Sequence, residues 1–198
     1  LGWQPYVFRW LKSRMNFEIS INAPKPQDTV KEIQDFINQH METVLDFRRR
    51  ECIELFPTTD ICAVRSFTHM LDAVANPDAI QFTPNSLPFS PQAAGENYLP
   101  NIRMLCVFAL MWSVGATLVE DSRRKFDVLI REIDSSFPSS DTGFEYFPDY
   151  RTQTWKPWED HPEIQHQYQP PEETPYYELL VPTVDTVRYT VIVGQLVR

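Results

Sequence analysis

A chain of 198 residues with 42% hydrophobic and 13% aromatic side chains is long enough and apolar enough to bury a substantial core. Its formal net charge of −9 disfavours direct binding to nucleic-acid phosphates or to an anionic lipid surface. The 17 prolines against 5 glycines indicate ordered connectors, and 3 cysteines without a CxxC spacing are typical of reduced thiols.

The N-terminal part of the chain predicts three amphipathic helices separated by proline-rich segments. The first covers residues 3–13, and the second runs over residues 28–56, where Pro57 stops it. A third helix is predicted over residues 65–75, before a loop that contains several prolines. Residues 48–50 are three arginines that could contact phosphate, but a cation cluster near a helix C-terminus is the favoured interpretation.

The predicted fourth helix, about residues 98–117, is apolar on nearly every face. It should therefore lie at the centre of a helical bundle, and its uncharged run is shorter than the ~20 residues that a bilayer requires. Gly115 permits a bend, after which Glu120 and Asp121 are expected to cap a fifth helix. The inner face of that helix is predicted to carry Phe126, Leu129, Ile130 and Ile133.

Residues 137–177 differ in composition from the helices before them. They are rich in proline, aromatic and acidic residues and show no sustained helical periodicity. One strand-like piece is predicted at residues 144–147. Trp155 and Trp158 are too close together for the paired tryptophans of a small proline-binding sheet. We interpret the interval as an ordered connector whose tryptophans anchor it against the helices.

Common catalytic and phosphate-binding motifs are missing: the chain contains neither GxxxxGK[ST] nor GxGxxG, HExxH or GxSxG. His161 and His166 are spaced too loosely to form a rigid metal site, and solvent-exposed positions are expected for both. Asp121, Asp127 and Glu132 are interpreted as the solvated face of a helix. No catalytic and no metal-ligating residue is predicted.

The C-terminal stretch LLVPTVDTVRY, residues 179–189, predicts the start of another helix. Pro182 ends regular pairing, and Thr183 and Asp185 are good capping residues. Residues 189–193 have a high propensity for β-strand, whereas the spacing of the apolar residues indicates a helix. Helix is the favoured prediction. The core-facing side of that helix would carry Val187, Val191 and Leu196.

A resemblance to a known family rests on three stretches, LGWQPYVFRWL, FALMWSVGATLVEDSRRKFD and VPTVDTVRY. In order and spacing these stretches resemble dynein heavy chains, and their detailed sequence is more similar to axonemal dyneins than to cytoplasmic ones. The resemblance implies that residues 1–136 are the helical lid of the second AAA+ module, residues 137–177 an ordered connector, and residues 178–198 the start of the third module. The expected fold class is mainly α: a helical AAA+ lid bundle, a Pro/aromatic-rich connector with short strands, and the first helix of the next AAA+ module.

The resemblance also implies a function, as part of the ring of an ATP-driven, minus-end-directed microtubule motor for ciliary or flagellar beating. ATP or ADP with Mg would be bound by the parent chain and not by this segment alone, which cannot hydrolyse ATP without a phosphate loop. In similar chains the positions of Leu180, Val181, Pro182 and Thr183 lie against the adenine of the third module's nucleotide. Arg123 is expected where other AAA+ lids carry a phosphate-sensing arginine for the second module.

Each of these sites also has a plainer structural interpretation. Residues 180–183 could simply join the connector to the next helix, and Arg123 could be an ordinary surface cation among acidic neighbours. The implied partners are the rest of the heavy-chain ring, with other dynein chains and microtubules reached through other regions of the parent, and neither nucleic acid nor membrane. The implied location is the cytoplasm, the cytoskeleton and the axoneme of a cilium or flagellum.

Two alternatives from other classes remain open from the residues alone. The first is an independent acidic helical interaction module that binds a partner helix, and it predicts that residues 1–198 fold alone as a stable monomer. The second is a small enzyme with an unrecognised site. A motor-ring segment instead predicts exposed apolar faces that pack on neighbouring parts of the parent.

Overall fold

A computed structural model describes residues 2–15, 26–75, 99–149, 152–165, 175, 181 and 183–197. The fold is mainly α, as predicted, with one small sheet of two strands among the described residues. The helices and strands in chain order are α1 (Gln4–Met15), α2 (Pro26–Glu51), α3 (Asp60–Ala75), α4 (Leu99–Ser113), α5 (Glu120–Ile133), β1 (Tyr146–Asp149), β2 (Thr154–Pro157), α6 (Pro162–Gln165) and α7 (Val184–Leu196).

The α4 helix is the centre of the bundle, as its uniformly apolar sequence predicts. It packs against α2, α3, α5 and β1, and its residues from Met104 to Trp112 are all buried. Such a helix has no polar face to offer to water, so burial on all sides is its stable arrangement. Within the described part of the chain, no helix is both long and apolar enough to cross a membrane.

Three helix boundaries differ from the predicted ones by four or five residues, and tertiary pairing explains one of them. The α2 helix ends at Glu51 and not near residue 56, because the Ile53 carbonyl accepts a hydrogen bond from the Val119 amide at 3.0 Å. The Leu55 amide likewise donates to the Thr117 carbonyl at 2.8 Å, so the chain leaves the helix to pair with the segment between α4 and α5. In addition, α3 begins at Asp60 instead of residue 65, and α4 ends at Ser113 instead of residue 117.

The connector forms an antiparallel hairpin in which Tyr146 faces Pro157 and Asp149 faces Thr154. The single predicted strand was misplaced, because Phe144 lies in a 3₁₀ turn, Gly143–Glu145, that comes just before β1. The second strand was not predicted. Trp155 is buried, but its stacking partner Phe137, with ring centroids 4.0 Å apart, lies in the connector itself. The predicted anchoring against the helices fits Trp158, which is fully buried in a turn that packs against α7.

The last segment folds as a helix, so helix was the correct choice over strand. Its start is capped by Thr183, whose side chain accepts a hydrogen bond from the Thr186 amide in a capping box. Of the predicted inner face, Val187 is buried and Val191 is half-buried, but Leu196 is exposed and Ile192 takes its place in the core. The helix packs against α3, α6 and the 3₁₀ turn Trp158–Asp160.

Candidate functional site

A cleft of about 500 Å³ lies where the N-terminus of α5, the turn Gly143–Glu145 and α7 meet. Three of its lining side chains are arginines and three are acidic, so the cleft is polar and mixed in charge. Its lining residues are Trp112, Glu120, Arg123, Arg124, Asp141, Thr142, Phe144, Glu145, Arg188 and Tyr189.

The start of α5 places two of these arginines at the cleft. Glu120 and Asp121 lie in the first turn, where carboxylates favour the positive end of a helix, but the cap residue is Val119 and no side chain caps the helix. The Arg123 amide donates the first helical hydrogen bond, to the Val119 carbonyl at 2.9 Å. Arg124 is exposed and forms an ion pair with Glu120 at 2.7 Å.

The Arg123 side chain is half-buried at the cleft, and two contacts hold its guanidinium. Its Nη2 donates to the Ala116 carbonyl at 2.9 Å, and its Cζ lies 5.5 Å from the centroid of the Phe144 ring, a cation–π geometry. The buried Nε has no hydrogen-bond partner among the described residues. Arg123, the predicted sensor arginine, thus lines the cleft, while its unpartnered Nε is buried away from solvent.

Arg188 is buried on the opposite side of the cleft, on α7. Its Nη1 donates to the Phe144 carbonyl at 3.2 Å and to Glu145 Oε1 at 2.9 Å, and its Nη2 donates to Asp185. Burial by itself lowers the pKa of Arg188, but hydrogen bonds and charge from Glu145 and Asp185 outweigh it and the pKa is raised. The guanidinium is thus a permanent cation that fastens α7 to the connector.

Phe144 is the contact that the two arginines share, since Arg123 lies over its ring and Arg188 binds its carbonyl. The ring also meets Trp112 edge to face, with centroids 5.5 Å apart. Below it, a Cβ added at Gly115 would lie 2.8 Å from Phe144 Cζ and 2.6 Å from the Met111 carbonyl oxygen. Only a glycine allows the ring to sit this close to the end of α4.

Val181 and Thr183, the described residues of the segment predicted to contact adenine, are not among those that line the cleft. Of its four residues, Leu180 and Pro182 lie outside the described residues, and Val181 and Thr183 are exposed. The Val181 carbonyl accepts the Thr183 amide at 2.9 Å and the Thr186 hydroxyl at 3.0 Å. The backbone before α7 is therefore tied to the first turn of that helix, while the Val181 side chain remains open to contact.

Two predictions about polar residues outside the cleft were wrong. His161 was expected at the surface but is fully buried between Phe147 and Trp158, and burial lowers its pKa; His166 lies outside the described residues. Asp127 was expected on a solvated face, yet it pairs with Arg131 at 2.8 Å and accepts the Gly143 amide at 2.5 Å. No cluster of three or more metal-ligating side chains occurs within the described ranges.

The arginines at the end of α2 contact carboxylates. Arg48 is only 2% exposed, which the sequence did not predict, and its guanidinium donates to Thr58 Oγ1 at 2.7 Å and to Asp60 Oδ1 at 2.8 Å. Arg50 pairs with Asp46 at 3.0 Å. All of these contacts favour the structural interpretation of the run over phosphate binding.

The three cysteines are unpaired in the structure. Cys106 is fully buried within α4, and burial raises the pKa of its thiol far above the ordinary value. A buried thiol of raised pKa is a poor nucleophile, so Cys106 serves the packing of the core.

Comparison with known proteins finds a match between residues 33–160 and the family model of the dynein heavy chain AAA lid domain. The chain is 35% identical over 197 residues to "Dynein axonemal heavy chain 2" of Homo sapiens and 34% identical to the protein of that name from Mus musculus. It is 32% identical over 223 residues to "Dynein-1-beta heavy chain, flagellar inner arm I1 complex" of Chlamydomonas reinhardtii. These alignments cover 100% of this chain but only 4% to 5% of the relatives.

Proposed function

The chain belongs to the family of dynein heavy chain AAA lid domains, and we propose that it is a segment of the motor ring of an axonemal dynein heavy chain. In this proposal residues 1–136 form the lid of the second AAA+ module, residues 137–177 connect the modules, and residues 178–198 open the third. The parent chain is an ATP-driven, minus-end-directed microtubule motor that powers ciliary or flagellar beating. The segment itself couples two neighbouring modules.

The attachment of α7 to the lid is the observation that carries this proposal. Arg188 binds the connector through Phe144 and Glu145, and its guanidinium lies 6.0 Å from the ring of Trp112 on α4. A helix that opens the next module is thereby fastened to the lid before it by buried, charge-assisted hydrogen bonds, which are stronger than neutral ones. A fastening of this kind suits the transmission of motion between modules.

The nucleotide of the third module would meet this chain at Leu180, Val181, Pro182 and Thr183. The exposed apolar side chain of Val181 fits contact with the face of a purine. The Thr183 amide already donates to the Val181 carbonyl and the Thr186 hydroxyl, so we assign the contact to the Val181 side chain instead of that amide. Mg²⁺ and the phosphates of ATP or ADP would be held by other parts of the parent chain.

For the second module we propose that Arg123 senses the phosphate of its nucleotide. A guanidinium that lines the cleft at the N-terminal end of α5 carries a planar fork of donors, which suits an anionic group. This contact would be positional and not catalytic.

The partners we propose are the rest of the heavy-chain ring, together with other dynein chains and microtubules that the parent contacts elsewhere. The names of the relatives, axonemal and flagellar, support a location in the axoneme. Exposed apolar side chains on the described surface, among them Leu55, Phe56 and Val197, fit a segment that packs on neighbouring parts of a larger chain. An independent acidic interaction module could use the same side chains to bind a partner helix.

Peptide sequencing and intact mass of the source protein separate these two functions. The motor proposal expects a very large polypeptide in which a GxxxxGK[ST] loop follows shortly after residue 198. A natural terminus at Arg198 would contradict it and support the interaction module.

A pair of matched variants in the purified parent protein then tests the adenine contact. Val181→Asp should weaken the binding of a fluorescent ATP analogue to the third module at least tenfold, because a carboxylate replaces an apolar contact. Val193→Asp, at a valine of equal exposure (52% against 54%), should leave that affinity within twofold. Equal affinities in the two variants would refute the assignment.

A further inference from the structure

We infer that Phe144 transmits nucleotide occupancy between the second and third modules, by contacting both the sensor arginine of the one and the first helix of the other. The inference rests on the proposed function, because it concerns the same two nucleotide sites. It adds the residue through which they communicate.

The second-module end of this relay is the contact of Arg123 with the Phe144 ring. The guanidinium is held over the ring by its hydrogen bond to the Ala116 carbonyl at 2.9 Å. A phosphate that attracted Arg123 would compete with both contacts, since one guanidinium cannot keep its position over the ring while it turns toward an anion. Nucleotide at the second module would therefore change the support of the Phe144 side chain.

The third-module end of the relay is the backbone of the same residue. Arg188 Nη1 donates to the Phe144 carbonyl at 3.2 Å, and Nη2 of the same guanidinium donates to Asp185 in the first turn of α7. Within that turn the Thr186 hydroxyl binds the Val181 carbonyl at 3.0 Å. A displacement of Phe144 would thus move the start of α7 and, with it, the Val181 side chain.

The Phe144 ring is packed so closely that its neighbours must move when the ring is displaced. Gly115 lies in contact distance of the ring on one side, and Trp112 meets it edge to face on another. Trp112 also contacts Tyr189 of α7, with ring centroids 6.4 Å apart, so the same cluster reaches the helix by a second route. Closely packed groups shift together between discrete arrangements instead of deforming gradually.

The test measures coupling and not affinity alone, in the full-length parent protein with all phosphate loops disabled except those of the second and third modules. The affinity of the third module for a fluorescent ATP analogue is compared with the second module's phosphate loop intact and with its lysine replaced. We expect the two affinities to differ at least about fivefold in the wild type. Phe144→Leu should reduce this ratio below twofold.

Two further variants separate a relay from a loss of stability. Phe137→Leu removes an equally buried ring of the connector that contacts Trp155 and Tyr146, and it should keep the wild-type ratio. Arg188→Lys keeps the charge but loses the two-pronged binding of Phe144 and Asp185, and it should reduce the ratio as Phe144→Leu does.

The outcomes distinguish the relay from the function on which it rests. A wild-type ratio of one, a wild-type ratio in Phe144→Leu, or an equal loss in Phe137→Leu would overturn the relay while the third module still binds nucleotide. If the third module of the wild type binds no nucleotide, or if Val181→Asp leaves its affinity unchanged, the proposed function of the segment fails as well.

Discussion

Replacement of Arg48 by methionine tests whether the buried guanidinium at the end of α2 holds the junction between α2 and α3. Arg48 is 2% exposed, and it binds Thr58 through both the side-chain hydroxyl, at 2.7 Å, and the carbonyl, at 3.2 Å. It also pairs with Asp60 at 2.8 Å and with Glu54 at 3.5 Å. Methionine preserves much of the apolar stem but leaves the two carboxylates without this cation.

The expected cost follows from how far the partners are from water. Removing one partner of a buried ion pair costs about 3–5 kcal/mol, because the remaining charge is desolvated without compensation. Asp60 retains 31% side-chain exposure and a second partner in Arg49, which places the expected loss at the lower end, about 3 kcal/mol. With a urea m-value of about 2 kcal/mol/M, the unfolding midpoint should fall by about 1.5 M.

The assay is urea unfolding of the 198-residue chain followed by circular dichroism, with Arg50→Met as the matched control. Arg50 lies on the same helix turn but is 74% exposed, and its pair with Asp46 is an i,i+4 surface contact worth about 0.3–0.5 kcal/mol. The urea unfolding midpoint of Arg50→Met should therefore shift far less than that of Arg48→Met. Equal shifts in the two variants, or an unchanged midpoint in Arg48→Met, would refute the reasoning from burial.

Three further predictions concern other parts of the fold. Gly115→Ala should destabilise the chain by about 1–3 kcal/mol in urea unfolding, because its Cβ would overlap a backbone carbonyl and two aromatic rings; a wild-type midpoint would contradict this. Burial lowers the pKa of His161 in the folded state below the ordinary value of 6.5. The contribution of His161 to the free energy of unfolding is therefore fully present above pH 6.5 and is lost as the pH falls from 6.5 toward the pKa of the folded state. His161→Gln should reduce the drop in unfolding midpoint between pH 7.5 and pH 5.5, and an unchanged drop would exclude this histidine. Thr183→Ala removes the cap of α7 and should cost about 1 kcal/mol, seen as faster amide exchange in the first turn of that helix, whereas unchanged exchange would show that the capping box is dispensable.

Much of the candidate site could be located in the sequence but not assembled from it. Arg123 could be singled out because it stands near the start of a helix whose acidic first residues and apolar period are local signals. Phe144 could not, since its residue type and neighbours indicated only a strand. Its role depends on Arg188, which is 44 positions away in the chain.

The sequence by itself determined the helical class of the protein, the central place of α4 and the resemblance to dynein lids. These follow from patterns among neighbouring residues, because an apolar period or a capping residue acts within one or two turns of its own position. The same local reasoning found α7 in spite of its strand-forming residues, through the Thr183 cap.

Only the tertiary structure decided which polar side chains are buried and which segments meet. Arg48 and His161 look like surface residues in the sequence, yet packing by residues distant in the chain buries both. The end of α2 was likewise set by pairing of Ile53 with Val119, and that hydrogen bond exists only once α4 has brought the two segments together. The free energy of such contacts depends on geometry that local propensity does not encode.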